Sequence, residues 1–215
     1  MKLKVDWIRH GITEYNVQAQ SSILGYLSQG WSDENLHESG IKQTKSQKIR
    51  EYDLILTSLL PRSIQSGLLL LENSSNDTIY PCPYLNEIRP WWAGGSDIVN
   101  KPKEDLRSLK QSIRKFKKKL DLKKKSSINY KFVENYKEDW DFINLYNIDE
   151  FYNFLFDIAR KENAKKILVV AHSWYMYKNF EFPKFGFTRI PNDSLWSETI
   201  KENRIREKFK VVHYE

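Results

Sequence analysis

Apolar residues gather in four short runs along the 215-residue chain, and more polar stretches lie between them. The segment KLKVDWI, near the N-terminus, alternates apolar and polar positions. YDLILTS and KKILVVAH are continuous apolar runs, and FKVVHYE lies at the C-terminal end. Continuous runs of this length are typical of strands in a sheet that is covered on both faces. The pattern therefore predicts four strands.

Three segments between these runs carry helical signals. The polar stretch from Leu36 to about Arg50 is compatible with a helix, and Pro61 stands where a first helical turn tolerates proline, before RSIQSGLLLLE. Asn147 with Glu150 resembles a capping box. One apolar helical face follows it, formed by Ile148, Phe151, Phe154, Leu155 and Ile158. Alternating strands and helices predict a three-layer α/β/α sandwich with a mostly parallel central sheet, and we expect one domain over residues 1–215.

Composition is compatible with a folded protein, since 40% of the residues are hydrophobic and 14% are aromatic. No apolar run reaches the roughly 18 residues of a membrane span, and MKLKVDWIRH lacks the apolar core and cleavage site of a secretory signal. We therefore expect a cytoplasmic protein without a membrane partner. The single cysteine, Cys82, excludes an internal disulfide and a thiolate metal cluster, and we expect it to be structural.

The net charge of +7 comes from one segment. Residues 101–131 contain thirteen Lys or Arg and only three Asp or Glu. This segment is compatible with a nucleic-acid or membrane surface, with an electrostatic guide for anionic substrates, or with a solvated helix and loop, which we favour. The sequence shows no recognisable nucleic-acid-binding fold, so a nucleic-acid partner is not expected.

Three of the predicted strands end in residues that suit phosphate chemistry. In chain order these residues are Arg9, His10 and Gly11, then Ser58 followed by Arg62, then His172 and Ser173. Because ligand sites of open α/β sheets lie beyond the carboxyl ends of the strands, we expect these side chains to meet at one edge. A single histidine at a strand end is more often structural. Two histidines with two arginines favour a pocket for a multiply charged anion such as phosphate.

Such a pocket has the parts for phosphoryl transfer. A neutral imidazole is a good nucleophile toward phosphorus, and a covalent phosphohistidine divides one difficult displacement into two easier ones. The leaving group needs a proton, which a carboxylic acid with a raised pKa can supply. Glu87, in YLNEIRPWW, is the candidate for this acid, with a surface carboxylate as the alternative.

These motifs resemble the histidine phosphatase superfamily, whose fold is called phosphoglycerate mutase-like. The opening strand followed by Arg-His-Gly matches its signature, with Thr13 and Asn16 shortly after. GWSDENLHESGIKQT, DLILTSLLPRSIQSG, LNEIRP and ILVVAHS resemble further family segments in the same order. The resemblance covers residues 1–95 and about 147–190.

The resemblance implies a metal-independent enzyme that needs no organic cofactor. His10 would be the phosphorylated nucleophile, Glu87 the proton donor, and Arg9, Arg62 and His172 would bind the phosphoryl group. Thr13 and Asn16 would support the pocket from the first loop, and we expect both of them and Ser173 to contact the substrate. His37 and His213 match no family position and are expected to be structural.

Two departures from the family pattern affect the predicted activity. Ser173 and Trp174 stand where the family often has glycine, which alters the far wall of the pocket. The segment after Glu87 lacks the insertion that is usual in cofactor-dependent mutases. We therefore predict a phosphatase acting on a small phosphorylated substrate or a phosphoprotein, with a phosphoglycerate mutase or a weakly active polyanion-binding module as alternatives.

The resemblance also places a variable cap at residues 96–146, over the active site. Its lysines would attract substrates with several phosphates or an acidic protein. Trp91, Trp92 and Trp140 could stack on a substrate ring, although packing between cap and core is the more ordinary role of such side chains. The sequence predicts no oligomeric state.

Overall fold

A computed structural model describes residues 1–21, 35–87, 102–120, 122, 126–134, 148–173, 175–176, 190, 192–202 and 207–211. Seven strands form one sheet in the order β4-β3-β2-β5-β1-β6-β7. Their bounds are β1 Lys2–Arg9, β2 Leu54–Thr57, β3 Thr78–Pro81, β4 Ser127–Ile128, β5 Lys166–Ala171, β6 Leu195–Lys201 and β7 Glu207–Val211. Neighbouring strands are parallel from β4 to β1, whereas β6 is antiparallel to both of its neighbours. The predicted mostly parallel α/β sheet is confirmed.

Six α-helices accompany the sheet in the described part of the chain. They are α1 Glu14–Ser21, α2 Glu38–Ser46, α3 Pro61–Leu71, α4 Pro102–Leu120, α5 Lys131–Glu134 and α6 Ile148–Lys161, and a 3₁₀ turn spans Pro83–Leu85. Pro61 occupies the first turn of α3, as the sequence predicts. None of the helices described is long and apolar enough to cross a membrane.

Alternation along β1 divides the core between the two faces of the sheet. Leu3, Val5 and Trp7 belong to one apolar cluster, which α6 covers, whereas Ile8 belongs to the cluster around α3. Trp7 packs edge-on against Phe151 of α6, with 5.5 Å between ring centroids. Every residue of α3 is buried, so this helix is an interior element that fixes the position of its first turn.

Three strands were not predicted from the apolar pattern. β3 and β4 are only four and two residues long. β6 places Glu198 on its buried side, where a sequence pattern leads one to expect an apolar residue. That carboxylate accepts hydrogen bonds from Trp7 Nε1 at 2.7 Å and from the Tyr152 hydroxyl at 2.8 Å.

The Lys-rich segment contributes to the sandwich itself. Ile113 and Phe116 of α4 are buried in the cluster around α3, while Phe132 and Val133 of α5 are buried in the opposite cluster. Basic side chains of α4 remain exposed, as expected for a solvated helix; among them are Arg107, Arg114, Lys115, Lys118 and Lys119. Lys101, Trp91, Trp92, Trp140, Asn147, Trp174 and His213 lie outside the described residues.

His37 and Cys82, which the sequence predicts to be structural, have contacts and burial that fit this role. His37 is the N-cap of α2, where its side chain accepts a hydrogen bond from Ser39 N at 3.2 Å. Cys82 is fully buried, and burial raises the pKa of its thiol far above the ordinary range. A thiol in that state is a poor nucleophile.

Candidate active site

The site forms where three parallel strands end side by side. Strand β5 lies between β2 and β1, with Arg9 opposite Ala171 and Thr57 opposite Val170. The residues that follow these strand ends, His10, Ser58 and His172, therefore come to one edge of the sheet. The imidazole rings of His10 and His172 have centroids 5.1 Å apart. The structure thus brings the predicted histidines together.

The side chain of His10 is held in one orientation. Its Nδ1 lies 2.8 Å from the carbonyl oxygen of Gly11, which only accepts hydrogen bonds, so Nδ1 carries the ring proton. Arg62 Nε donates to His10 Nε2 at 3.3 Å. Burial, reinforced by Arg62 and His172, holds the pKa of His10 well below its ordinary range. His10 is therefore a neutral imidazole with the lone pair on Nε2.

Glu87 lies between Arg62 and His172. Its Oε2 accepts a hydrogen bond from Arg62 Nη2 at 2.8 Å and lies 3.3 Å from His172 Nδ1, and its side chain is 8% exposed. Burial alone would raise the pKa of Glu87, but His172 and Arg62 outweigh burial and hold the pKa well below the ordinary range. The raised pKa expected from the sequence is wrong for the resting protein, because a permanent guanidinium charge contacts this carboxylate.

His172 is fully buried and neutral. Burial lowers its pKa, with some further lowering from Arg62 and Arg9, and outweighs the opposing effect of Glu87. Its Nε2 lies 2.6 Å from Ser58 Oγ, and that oxygen also accepts a hydrogen bond from Leu60 N at 3.1 Å. Because an ionised carboxylate faces Nδ1, the ring proton belongs on Nδ1 and Ser58 donates to Nε2.

Arg9 directly precedes His10, and its charge lowers the pKa of both histidines. Its Nη1 donates to the backbone carbonyl of Ile190, and its side chain is almost fully buried. The hydroxyl of Ser173 accepts a hydrogen bond from Ile190 N at 3.2 Å. Ser173 therefore anchors the segment around Ile190, and its predicted contact with substrate stays a prediction.

Thr13 and Asn16 organise the start of α1. Asn16 Oδ1 accepts from Thr13 N at 3.1 Å, and Thr13 Oγ1 accepts from Asn16 N at 3.3 Å. This reciprocal pair resembles a capping box and fixes the turn after His10. Gly11 sits against α2 in the same turn, where an added Cβ would lie 2.5 Å from Thr44 Oγ1. Close packing of this turn explains the requirement for glycine.

The segment before β6 contributes residues that the sequence analysis missed. Asn192 Nδ2 donates to the carbonyls of His10 and Gly11 at 2.8 and 3.0 Å. Asp193 has a positive φ of 57° and accepts a hydrogen bond from the Thr44 hydroxyl at 3.0 Å. Burial raises the pKa of Asp193 to about 7. No local pattern points to these residues, because their partners lie about 150 or more positions away in the chain.

A metal ion is not the natural occupant of this cluster. Ligand atoms of His10, Glu87 and His172 lie within 4.8 Å of one another, a spacing that a cation can bridge. However, Arg62 donates hydrogen bonds to both His10 Nε2 and Glu87 Oε2, and its positive charge repels a metal cation at this position. Two guanidinium groups with two imidazoles suit an anion with several acceptor oxygens instead.

Comparisons with known proteins agree with this geometry. No protein-family model matches the chain. Over 79 residues the chain is 37% identical to a 2,3-bisphosphoglycerate-dependent phosphoglycerate mutase of Actinobacillus pleuropneumoniae, a match that spans 34% of this chain and 32% of that relative. The chain thus matches about a third of the length of this relative.

Solved structures match nearly the whole chain. A phosphoglycerate mutase from Bacillus anthracis aligns with a TM-score of 0.54 and 17% identity, over 99% of this chain and 92% of the other. The ecdysone phosphate phosphatase from Bombix mori aligns with a TM-score of 0.53 and 12% identity over the same shares. Together, the sequence match and these structural matches confirm the resemblance to the histidine phosphatase superfamily, and the chain has the phosphoglycerate mutase-like fold.

Proposed function

We propose that the protein is a metal-independent phosphatase that hydrolyses phosphomonoesters through a phosphohistidine on His10. The observation that carries this proposal is the state of His10. Its Nδ1 proton is held by the Gly11 carbonyl, and its Nε2 lone pair faces Arg62. A neutral imidazole aimed at an anion-binding guanidinium is prepared to attack a bound phosphoryl group.

Arg9, Arg62 and His172 would bind that phosphoryl group. In the resting protein Glu87 occupies the same donors, since its Oε2 contacts both Arg62 and His172. The Glu87 carboxylate thus acts as an internal counter-anion, and a phosphoryl group, which has more acceptor oxygens, would displace it. In the first step the Nε2–P bond forms as the P–O bond to the leaving group breaks. Water then attacks phosphorus as the Nε2–P bond breaks, its proton passes to the Glu87 carboxylate that the first step left unprotonated, and phosphate is released.

Glu87 would protonate the leaving oxygen once it has been displaced. Because the resting carboxylate is ionised, its proton has to arrive with the substrate. A phosphomonoester monoanion carries such a proton, since its second pKa is about 6. Loss of the Arg62 contact raises the pKa of Glu87, which can then take the proton and pass it to the leaving group. We therefore expect kcat/KM for alkyl phosphates to fall as the pH rises above about 6.

A phosphoglycerate mutase is the second candidate, and the 79-residue similarity to mutases favours it. A mutase would return the phosphoryl group of His10 to another hydroxyl of a three-carbon acid instead of to water. The residues after Glu87, where the sequence lacks the usual mutase insertion, lie outside the described part of the chain. Isomerisation of 2- and 3-phosphoglycerate that a bisphosphorylated primer stimulates would identify this activity.

Hydrolysis of p-nitrophenyl phosphate in EDTA tests the first candidate. Wild type should turn over and form an acid-labile phosphoenzyme, whereas His10→Ala should do neither. His37→Ala is the matched control, because His37 caps α2 and takes no part in the proposed chemistry. Retained turnover in His10→Ala, or turnover that chelation abolishes, would refute the proposal. An inactive but folded wild type would favour the mutase or a phosphate-binding module.

The proton-donor role has a separate test. Glu87→Gln should slow hydrolysis of alkyl phosphates far more than that of p-nitrophenyl phosphate, whose leaving group departs without a proton. Equal losses on both substrates would remove Glu87 from this role. The comparison of the two substrates also distinguishes loss of leaving-group protonation from loss of substrate binding. A binding defect would slow both substrates, because they share the phosphoryl group.

We also infer the location, the substrate class and the role of the Lys-rich segment. We expect one cytoplasmic domain that acts on a small phosphorylated substrate or a phosphoprotein. The lysines of residues 96–146 would attract anionic substrates, although α4, β4 and α5 of this segment pack into the sandwich instead of forming a separate cap. Helix α4 supports the electrostatic part of this inference, because residues 106–120 contain no Asp or Glu. If these charges guide the substrate, kcat/KM for a multiply phosphorylated substrate should fall with salt more steeply than for p-nitrophenyl phosphate.

A further inference from the structure

The amide of Asn192 is directed at the loop that carries the proposed nucleophile. Its Nδ2 lies 2.8 Å from the carbonyl oxygen of His10, 3.0 Å from that of Gly11 and 3.2 Å from Oδ1 of Asn16. All three atoms accept hydrogen bonds here, so the amide nitrogen of Asn192 links the parts of the turn that follows β1. The backbone of Asn192 is held in turn, because Gln43 Nε2 donates to its carbonyl at 3.4 Å.

One of these acceptors also determines the protonation of His10. The Gly11 carbonyl accepts the Nδ1 proton of the imidazole at 2.8 Å. A carbonyl oxygen has two lone pairs, so it can accept from Asn192 and from His10 at once. The direction of this carbonyl therefore decides whether the ring proton stays on Nδ1, and with it whether Nε2 keeps a lone pair.

Neighbouring contacts hold Asn192 against the end of β1. Asp193 N donates to the carbonyl of Arg9 at 3.1 Å, and Arg9 N donates to the carbonyl of Ser194 at 3.3 Å. These two backbone bonds flank the position at which β1 passes into the His10 loop. The backbone next to Asn192 is thus fixed against the end of β1, as expected for a group that orients another residue.

We propose that Asn192 is a positioning residue that fixes the reactive tautomer of His10 through the Gly11 carbonyl. The consequence for rate rests on the proposed function, whereas the tautomer does not. In the attack, the Nε2 lone pair forms the N–P bond and the P–O bond to the leaving group breaks. The Nδ1 proton remains on the ring, and its bond to Gly11 strengthens as the ring gains positive charge. An imidazole protonated on Nε2 has no lone pair there and cannot attack.

The tautomer is read directly by ¹⁵N NMR of the His10 ring. In wild type at neutral pH we expect Nδ1 to be protonated and Nε2 to be the lone-pair nitrogen. In Asn192→Ala the Gly11 carbonyl loses one of its two donors and becomes free to turn, so both tautomers should be populated. A wild-type ring protonated on Nε2 would overturn the proposal without any variant, as would an unchanged pure Nδ1–H ring in folded Asn192→Ala.

The rate of His10 phosphorylation is the second readout. Asn192→Ala should lower the single-turnover rate with p-nitrophenyl phosphate. The loss should fall between about tenfold, typical of outer hydrogen-bond partners, and the roughly 10⁴-fold seen when a catalytic imidazole is in the wrong tautomer. Inhibition by inorganic phosphate should change less than about twofold, because Arg9, Arg62 and His172 keep their charges and donors. A rate equal to wild type would overturn the proposal.

Asn73 provides a matched control. Its side-chain amide also donates to two backbone carbonyls, those of Lys45 and Gln47, at 2.8 and 3.0 Å. Asn73→Ala should therefore lose two similar side-chain hydrogen bonds. It should not change the ¹⁵N spectrum of the His10 ring or the rate of His10 phosphorylation. Equal effects from Asn73→Ala and Asn192→Ala would mean general loosening of the fold and would overturn the positioning role. If wild type fails to hydrolyse phosphomonoesters, the proposed function fails, and the spectra still decide the role of Asn192.

Discussion

Replacing Glu87 by Gln should affect stability and phosphate binding in opposite directions. Glu87 and Arg62 are 8% and 9% exposed and are joined by a 2.8 Å bond. Removing one partner of a fully buried pair costs about 3–5 kcal/mol, because the other charge stays buried without compensation. Since both side chains keep slight solvent access, we expect Glu87→Gln to lower the free energy of unfolding by about 3 kcal/mol at pH 7.

The pH dependence of this loss has a defined sign. The pKa of Glu87 is lowered in the folded protein, so its stabilising contribution is complete above the ordinary pKa of about 4.3. It is lost as the pH falls toward the folded pKa, because folding then requires release of a proton that the unfolded chain retains. The stability difference between wild type and Glu87→Gln should therefore shrink below about pH 4.

Phosphate affinity should respond in the other direction. A bound phosphoryl group has to take Arg62 from Glu87 and then lies beside a negative carboxylate. The neutral amide of Glu87→Gln removes that competition, so we expect inorganic phosphate to bind about tenfold more tightly, a gain of about 1.4 kcal/mol. Urea unfolding at several pH values and calorimetric titration with phosphate measure the two effects on the same samples.

Glu162→Gln is the control for the loss of a carboxylate. Glu162 pairs with Lys131 at the surface, where both side chains are about 30% exposed, and exposed pairs contribute between 0 and about 1 kcal/mol. This variant should leave phosphate affinity unchanged. Unaltered stability of Glu87→Gln at pH 7, or weaker phosphate binding, would refute the conclusion that Glu87 is the internal counter-anion of the site.

Three further predictions follow from other contacts. In denaturant unfolding, Asp193→Asn should match wild type below about pH 4, gain relative stability as the pH rises, and be more stable by up to about 4 kcal/mol at pH 8, because burial raises the pKa of Asp193 to about 7 from about 3.9 in the unfolded chain. Gly40→Ala should cost at least about 3 kcal/mol in thermal unfolding, since its Cβ would lie 2.2 Å from a backbone oxygen that cannot move aside. Ser58→Ala removes the hydroxyl 2.6 Å from His172 Nε2 and should lower kcat about tenfold, whereas Ser46→Ala, which removes a surface hydroxyl, should not.

Much of this site could be predicted because its residues directly follow apolar strands. His10 and His172 stand at the ends of β1 and β5, and parallel neighbours deliver such residues to one edge. Pro61 likewise marks the start of α3 and so places Arg62 on its first turn. Local patterns were sufficient here because each signal lies within a few residues of the side chain that it places.

The remainder depends on contacts between distant parts of the chain. β6 was missed because a buried Glu198 interrupts its apolar pattern, and Trp7 and Tyr152, which donate hydrogen bonds to that carboxylate, belong to other elements. Asn192 was missed for the same reason, since its acceptors lie more than 170 positions away. A polar residue of this kind has no local signature, because its burial is stabilised only after the sheet has formed.

Electrostatics explains why the predicted pKa of Glu87 was wrong although the side chain lies beside Arg62 and His172. The sequence suggested a strongly cationic pocket, but both histidines are neutral in the folded protein, because burial and the arginines lower their pKa values. Neutral histidines make His10 a competent nucleophile, yet they leave no acidic proton in the resting site. A protonated Glu87 beside Arg62 would supply that proton at the cost of an uncompensated guanidinium charge. A neutral His10 and a protonated Glu87 are therefore not compatible in the resting site. They become compatible once an anion binds to Arg62. A phosphomonoester monoanion can satisfy Arg62 and supply the missing proton, so binding of the substrate itself would complete the proposed acid.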